Sequence, residues 1–257
     1  MLQFEKFGIC QVPSAPIRSS ASDASEIVSQ LLLGELVEVL ETGRPWIKIK
    51  VSADGYEGYM DFKQLIYLNK EDYDANINHT PNIQDVTDAI VKSPNGMMRT
   101  IIGSSLPFYE TGKFKLGNIE FEVQTPVMSE TKKSIVETAK LFLNTPYLWG
   151  GRSIHGIDCS GFTQIVAKLH GYQLPRDASQ QVHIGEEIKF EDRQPGDFEF
   201  YINSKGTIHH VGIIIEDNKV LHASGWLRCD VSDEKGIFRE DFGAHTHQHH
   251  SIRRPIK

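Results

Sequence analysis

Trp46-Ile47-Lys48-Ile49-Lys50-Val51 alternates bulky apolar and charged residues, and a period of two fits a half-buried β-strand. A second β-rich run, Leu36 to Glu41, precedes it, with Thr42-Gly43-Arg44-Pro45 as the turn between them. Asp54-Gly55 opens another turn before Tyr56-Glu57-Gly58-Tyr59-Met60. Strands this short and this closely spaced predict a small barrel over residues 1–70, because closure removes exposed sheet edges.

The texture then changes twice. Over residues 71–128, Glu71 to Asn82 is polar and loop-like, and Asp85 to Val91 has room for one short helix. Phe114 and Leu116, then Ile119, Phe121 and Val123, alternate about Gly117-Asn118, which predicts a hairpin. This stretch is expected to be a linker or a second, reduced barrel-like module. From residue 129 to 257 the order is helices first and strands after, which implies an α+β domain. Ile135, Ala139 and Phe142 share one helical face. Phe162, Ile165, Val166 and Leu169 share another, in a helix from Cys159 to His170 that Gly171 ends. Strands are expected at 197–201, 209–215, 220–223 and 250–254.

At roughly 100–200 residues per domain, 257 residues allow two domains or three small ones. No apolar run approaches the ~18 residues of a membrane span. A net charge of −7 without a basic stripe argues against nucleic acid as a partner. No charged and apolar leader opens the chain, so a cytoplasmic location is expected, or a periplasmic or secreted one if a leader was removed.

Three cysteines are too few for a disulfide framework, and Cys10 and Cys229 are expected to be structural. Cys159 is different. It follows Asp158, a good N-cap, and so opens a helix whose unpaired N–H groups favour a thiolate. The preceding segment, Trp149 to Ile157, carries Gly150, Gly151 and Gly156, and small residues there let a substrate approach the sulfur. A nucleophilic cysteine needs a base and a group to orient that base. His210 and His222 flank a turn at Glu216-Asp217-Asn218. A three-residue loop sets His222 opposite Gly212 and puts both imidazoles on one sheet face. A two-residue loop separates them, unless a bulge corrects the register. Taken singly, each residue has a bland alternative: a buried small hydrophobe for Cys159, a satisfied strand residue for each histidine. A metal site of Cys159, His210 and His222 lacks supporting ligand spacing. His245, His247, His249 and His250 alternate about a strand and are expected to form a solvated edge.

Thr145-Pro146-Tyr147-Leu148-Trp149-Gly150-Gly151 and Gly156-Ile157-Asp158-Cys159-Ser160-Gly161-Phe162 resemble the nucleophile motif of the NlpC-type cysteine peptidases. Leu174 to Gln181, Gln194-Pro195-Gly196-Asp197, His209 to Ile213 and Val220 to Gly225 resemble that family's later motifs, in order. Residues 6 to 68 resemble bacterial SH3-like domains. The resemblance implies a papain-like α+β peptidase domain in which Cys159 attacks the scissile carbonyl, His210 is the base and His222 orients it. Tyr147 is a candidate oxyanion donor, and no metal or cofactor is implied. The pairing of domains is similar to the γ-D-glutamyl-L-diamino acid peptidases, which act on murein peptides with a free N-terminal L-Ala. In that resemblance Glu26 and Asp158 meet the ammonium, Tyr56 (or Tyr59) is an aromatic partner, and Ser160 and Asp177 are further substrate contacts. Ala178 stands where relatives can carry a hydroxyl. A wall-binding protein with a degenerate site and an acyltransferase are the competing functions. Lysine versus diaminopimelate, and the oligomeric state, stay open.

Overall fold

The computed structural model describes residues 5–216 and 218–255. The chain divides into two compact units, one ending at Thr131 and the other beginning at Lys132.

Seven strands open the first unit: β1 (Phe7–Cys10), β2 (Ser14–Arg18), β3 (Ile27–Leu32), β4 (Leu36–Glu41), β5 (Trp46–Val51), β6 (Glu57–Asp61) and β7 (Leu65–Leu68). They form one antiparallel sheet in the order β3-β2-β6-β5-β4-β1-β7. The alternation in β5 does what its pattern requires: Ile47, Ile49 and Val51 are buried while Lys50 is exposed. The sheet curls around Cys10, Ile17, Leu31, Val37, Ile49 and Met60, so Cys10 is a core residue.

Two expectations fail between residues 69 and 93. The polar stretch after β7 is helix α1 (Lys70–Ile77), capped by the Asn69 side chain and carrying Glu71 and Asp72 in its first turn. Its capping and charge placement, rather than an apolar stripe, identify it as helix. Tyr73 on α1 stacks on Phe7 with ring centroids 4.0 Å apart. After β8 (Asn82–Ile83), the expected helix near Val91 is instead strand β9 (Asp88–Ser93), with Ala89 and Val91 buried at a period of two. Strands β10 (Gly96–Ile101), β11 (Ser105–Leu106), β12 (Lys113–Leu116) and β13 (Ile119–Val123) follow. The hairpin about Gly117 is present, with Phe114 opposite Phe121. A second core joins Phe7 and Leu33 to Phe114, Leu116 and Phe121, so these later strands pack on the barrel.

The second unit begins with α2 (Ile135–Lys140), whose N-cap Ser134 and Glu137 form a reciprocal capping box. A short hairpin, β14 (Arg152–Ser153) and β15 (Gly156–Ile157), leads into α3 (Cys159–Leu169). Phe142 and Phe162 meet edge to face at 6.0 Å beneath it. Gly171 takes the left-handed conformation (φ 82°) past the end of α3. Next come α4 (Ala178–Gln181), β16 (Glu186–Ile188), β17 (Phe198–Ile202), β18 (Ile208–Glu216), β19 (Lys219–Ser224), β20 (Trp226–Asp233), β21 (Gly236–Arg239) and β22 (Ala244–Arg254). Strands β17 to β22 run antiparallel in sequence order, and β22 returns to pair with β17, closing a six-stranded barrel. The histidine-rich strand is therefore not an edge. β22 lies between β21 and β17, and His247 and His249 are half-buried. Glu199, fully buried in β17, accepts from His249 Nδ1 at 2.9 Å and Ser232 Oγ at 2.8 Å.

Because Phe114 belongs to a core shared with the barrel, Phe114→Ala should destabilise the first unit by about 3–5 kcal/mol. Urea unfolding followed at Trp46 should show that loss, and an unchanged barrel transition would contradict the shared core.

Candidate active site

Asp158 has extended backbone (φ −99°, ψ 177°), and its carboxylate accepts from the Gly161 N–H at 2.7 Å, so α3 starts at Cys159. The other carboxylate oxygen accepts from the Gly150 N–H at 2.9 Å. Arg176 closes a two-pronged pair on the same carboxylate, with Nη1–Oδ1 3.1 Å and Nη2–Oδ2 2.5 Å, and its Nη1 also donates to Ser160 Oγ at 2.8 Å. Both partners are almost fully buried, so each charge depends on the other. Two glycines here are required by packing. A Cβ on Gly151 would lie 2.4 Å from Gly156 O, and one on Gly161 would lie 2.2 Å from Gly151 O. Backbone thus fits against backbone at the start of α3.

The histidines depend on register. β18 and β19 are joined by a two-residue connection, Glu216 pairing with Lys219; the central Asp217 of the expected turn lies outside the described residues. That connection alone would separate the imidazoles. A bulge between Ile214 and Glu216 shifts the register by one residue and restores His222 opposite Gly212. Gly212 is needed there, since a Cβ would lie 3.1 Å from His222 Cβ and 2.6 Å from Val220 Cγ2. His210 Nε2 and His222 Nδ1 are 2.9 Å apart. His222 Nε2 is in turn 2.9 Å from Asp230 Oδ2 on β20, and Arg228 holds that carboxylate with Nε at 2.6 Å and Nη2 at 2.8 Å. The Cys159 thiol is within reach of the Val211 N–H, next to His210 on β18, and of the Ser160 N–H.

The carboxylate fixes the protons. Burial works to raise the Asp230 pKa, but His222 and Arg228 outweigh it and hold the group at about 2, so Asp230 is ionised. It can only accept, which places a proton on His222 Nε2 and leaves Nδ1 bare. His210 must then donate through Nε2, and its remaining lone pair sits on Nδ1. Burial pushes His210 well below the ordinary histidine range, reinforced by the neighbouring His222 and His247, and burial also lowers His222. Both rings are neutral at pH 7. Burial also pushes the Cys159 thiol up to about 12, with the Asp158 charge adding to it and the Val211 N–H, Arg176 and Ser160 N–H opposing. The expected lowering of the thiol pKa is therefore not found in the ligand-free protein. One helix terminus does not offset burial beside the Asp158 carboxylate. The resting pair is a thiol and a neutral imidazole, suited to proton transfer during attack.

The other expected site residues lie in both units. Tyr147 is half-buried, its phenol raised to about 12 first by burial and then by the neighbouring Cys159 and Asp158, so it keeps its proton as a donor. Ser160 is buried beside Arg176, and Asp177 is half-buried at the N-cap of α4. Ala178, the departure from the family pattern, is buried as the first residue of α4. In the first unit, Glu26 is exposed just before β3, and Tyr56 and Tyr59 are half-buried. Cys229 is exposed on β20 rather than buried in a core. Asp230 and Arg228 were not anticipated. In β20 polar residues occupy the buried positions, Asp230 and Ser232 among them, so the strand lacks the apolar alternation that marks the others.

Residues 144–245 match the NlpC/P60 family, and residues 17–65 match the bacterial dipeptidyl-peptidase Sh3 domain. The γ-D-glutamyl-L-lysine dipeptidyl-peptidase of Bacillus subtilis (strain 168) is 32% identical over 225 residues, 77% of this chain and 72% of that protein. The chain belongs to the NlpC/P60 family. A protein of the same name from Bacillus cereus (strain ATCC 10987) is 28% identical over 240 residues, 79% of this chain and 68% of that one. The crystal structure of an NlpC/P60 family protein from Bacillus cereus ATCC 10987 has a TM-score of 0.78 at 22% identity, covering 98% of this chain and 100% of that one. An NlpC/P60 endopeptidase from Photobacterium damselae subsp. piscicida gives 0.71 at 17% identity, covering 96% and 70%. The fold is an SH3-like barrel followed by an NlpC-type α+β domain, and the chain is a cysteine-type peptidase.

Asp230→Asn keeps the shape but removes the acceptor charge that sets the tautomer chain, so kcat should fall about 10- to 100-fold with KM little changed. An unchanged kcat would remove Asp230 from the relay. With its thiol protonated at neutral pH, Cys159 in the ligand-free protein should be alkylated by iodoacetamide at a rate rising roughly tenfold per pH unit between about pH 6 and 9. Peptide mapping separates it from Cys229, and a plateau near neutral pH would show a preformed thiolate instead.

Proposed function

We propose that this chain hydrolyses peptidoglycan-derived peptides at the γ-D-glutamyl–L-diamino acid bond, releasing L-Ala-D-Glu from peptides whose N-terminal L-Ala is free. The carrying observation is the 32% identity, over most of both chains, to a γ-D-glutamyl-L-lysine dipeptidyl-peptidase. The relay His210–His222–Asp230 adds a chemical reason.

In this reading the substrate enters with the γ-carbonyl of D-Glu against Cys159. The sulfur bonds to the carbonyl carbon as its proton passes to His210 Nδ1. The imidazolium is stabilised through His222 by the ionised Asp230. The developing oxyanion takes the Cys159 N–H at the start of α3 and the protonated Tyr147 hydroxyl. Collapse breaks the C–N bond, and His210 returns its proton to the leaving α-amine of the diamino acid. Water, deprotonated by the same imidazole, then cleaves the thioester to give the free dipeptide and the thiol.

Recognition of the free amine needs a carboxylate. The resemblance gives that role to Asp158 and Glu26, and Asp158 stands directly before the nucleophile at the start of α3. The experiment is turnover of L-Ala-γ-D-Glu-L-Lys with a free and with an acetylated N-terminus. The free peptide should be cleaved at least tenfold faster in kcat/KM, by roughly the free energy of one lost charge-assisted hydrogen bond. Equal rates would reject amine recognition and leave a wall endopeptidase, and transfer of the acyl group to an amine would identify an acyltransferase.

A further inference from the structure

His247 has no part in the relay, yet its ring stacks on that of His210, with centroids 4.2 Å apart and planes at 29°, and meets His222 edge-on at 5.5 Å. One ring nitrogen from each of His210, His222 and His247 lies within 4.8 Å of the other two. We propose that these three histidines form an inhibitory site for a divalent transition-metal ion such as Zn²⁺, which switches the peptidase off by occupying its base.

Geometry supports three imidazole ligands. Tetrahedral Zn²⁺ with N ligands at about 2.0–2.1 Å needs ligand nitrogens about 3.3 Å apart. His210 Nε2 and His222 Nδ1 are 2.9 Å apart, so that pair needs only a small opening. His222 carries the outer partner that metal-binding imidazoles have: its Nε2–H donates to Asp230, which Arg228 fixes, leaving Nδ1 as the ligand atom. His247 also lines a cavity of about 400 Å³, together with His209 and His245, two exposed imidazoles. The coupling to catalysis follows from the tautomer. A metal on His210 Nε2 moves the ring proton to Nδ1, which removes the lone pair needed by the Cys159 thiol.

The test uses the full chain and ZnCl2 in a non-chelating buffer, with binding read by calorimetry. The Cys159→Ala protein should bind one Zn²⁺ with the affinity of the unaltered protein. His247→Phe keeps a ring to stack on His210 but offers no ligand atom, and should bind Zn²⁺ roughly tenfold or more weakly and resist inhibition to the same degree. Loss of binding in Cys159→Ala would put the ion on the thiol, and undiminished binding in His247→Phe would remove His247 as a ligand; either would overturn the site. The unaltered protein loaded with Co²⁺ gives a reading that does not depend on variant folding. Visible bands of a nitrogen-ligated ion without a thiolate charge-transfer band are expected, and a thiolate band, or no bound Co²⁺ at all, would overturn the proposal.

Discussion

One extra residue in β18 brings the two relay histidines of this protein together. Without the bulge after Ile214, a two-residue connection would turn His210 and His222 to opposite sheet faces. With it, His222 stands opposite Gly212, and its ring fits because Gly212 has no Cβ. On its other side, the β19–β20 register places His222 diagonal to Asp230, since Val220 pairs with Asp230 and His222 with Arg228. Three neighbouring strands therefore deliver base, orienting ring and carboxylate to one side of the barrel, where α3 brings the thiol.

The site holds two buried carboxylates, and each is held by an arginine. Asp230 is ionised and gripped by Arg228, so every proton along the histidine pair has one place to be. Asp158 is gripped by Arg176 in the same two-pronged way, which fixes the start of α3. These two ion pairs anchor the two halves of the machinery, the nucleophile and its base. Between them lie groups kept neutral by burial, Cys159 and His210. The charge separation that catalysis needs arises only when substrate is attacked, in surroundings that Asp230 has already oriented.

Much of this was legible in the sequence. The alternation of Trp46 to Val51, the hairpin at Gly117 and the helix from Cys159 rest on local periodicity and turn chemistry, which act over a few residues. The Cys159, His210 and His222 set was legible because its motifs are contiguous. What was hidden depends on long-range packing. Asp230 sits on a strand whose buried face is polar, so no apolar pattern announced it. α1 lacks an apolar stripe and is held by its Asn69 cap and by Tyr73 against Phe7. β22 looked like an exposed edge because its histidines are polar, although barrel closure covers both its sides. The thiol pKa was misjudged for a related reason: helix dipoles can be read from a sequence and burial cannot.

The most direct test of the relay is the ¹⁵N spectrum of the histidine side chains in the ligand-free protein, followed from neutral pH into acid. His210 and His222 should each appear as a neutral ring with its proton on Nε2, and both should remain neutral below the ordinary histidine pKa of about 6.5. A doubly protonated His210 at neutral pH would show a thiolate–imidazolium pair and contradict the account.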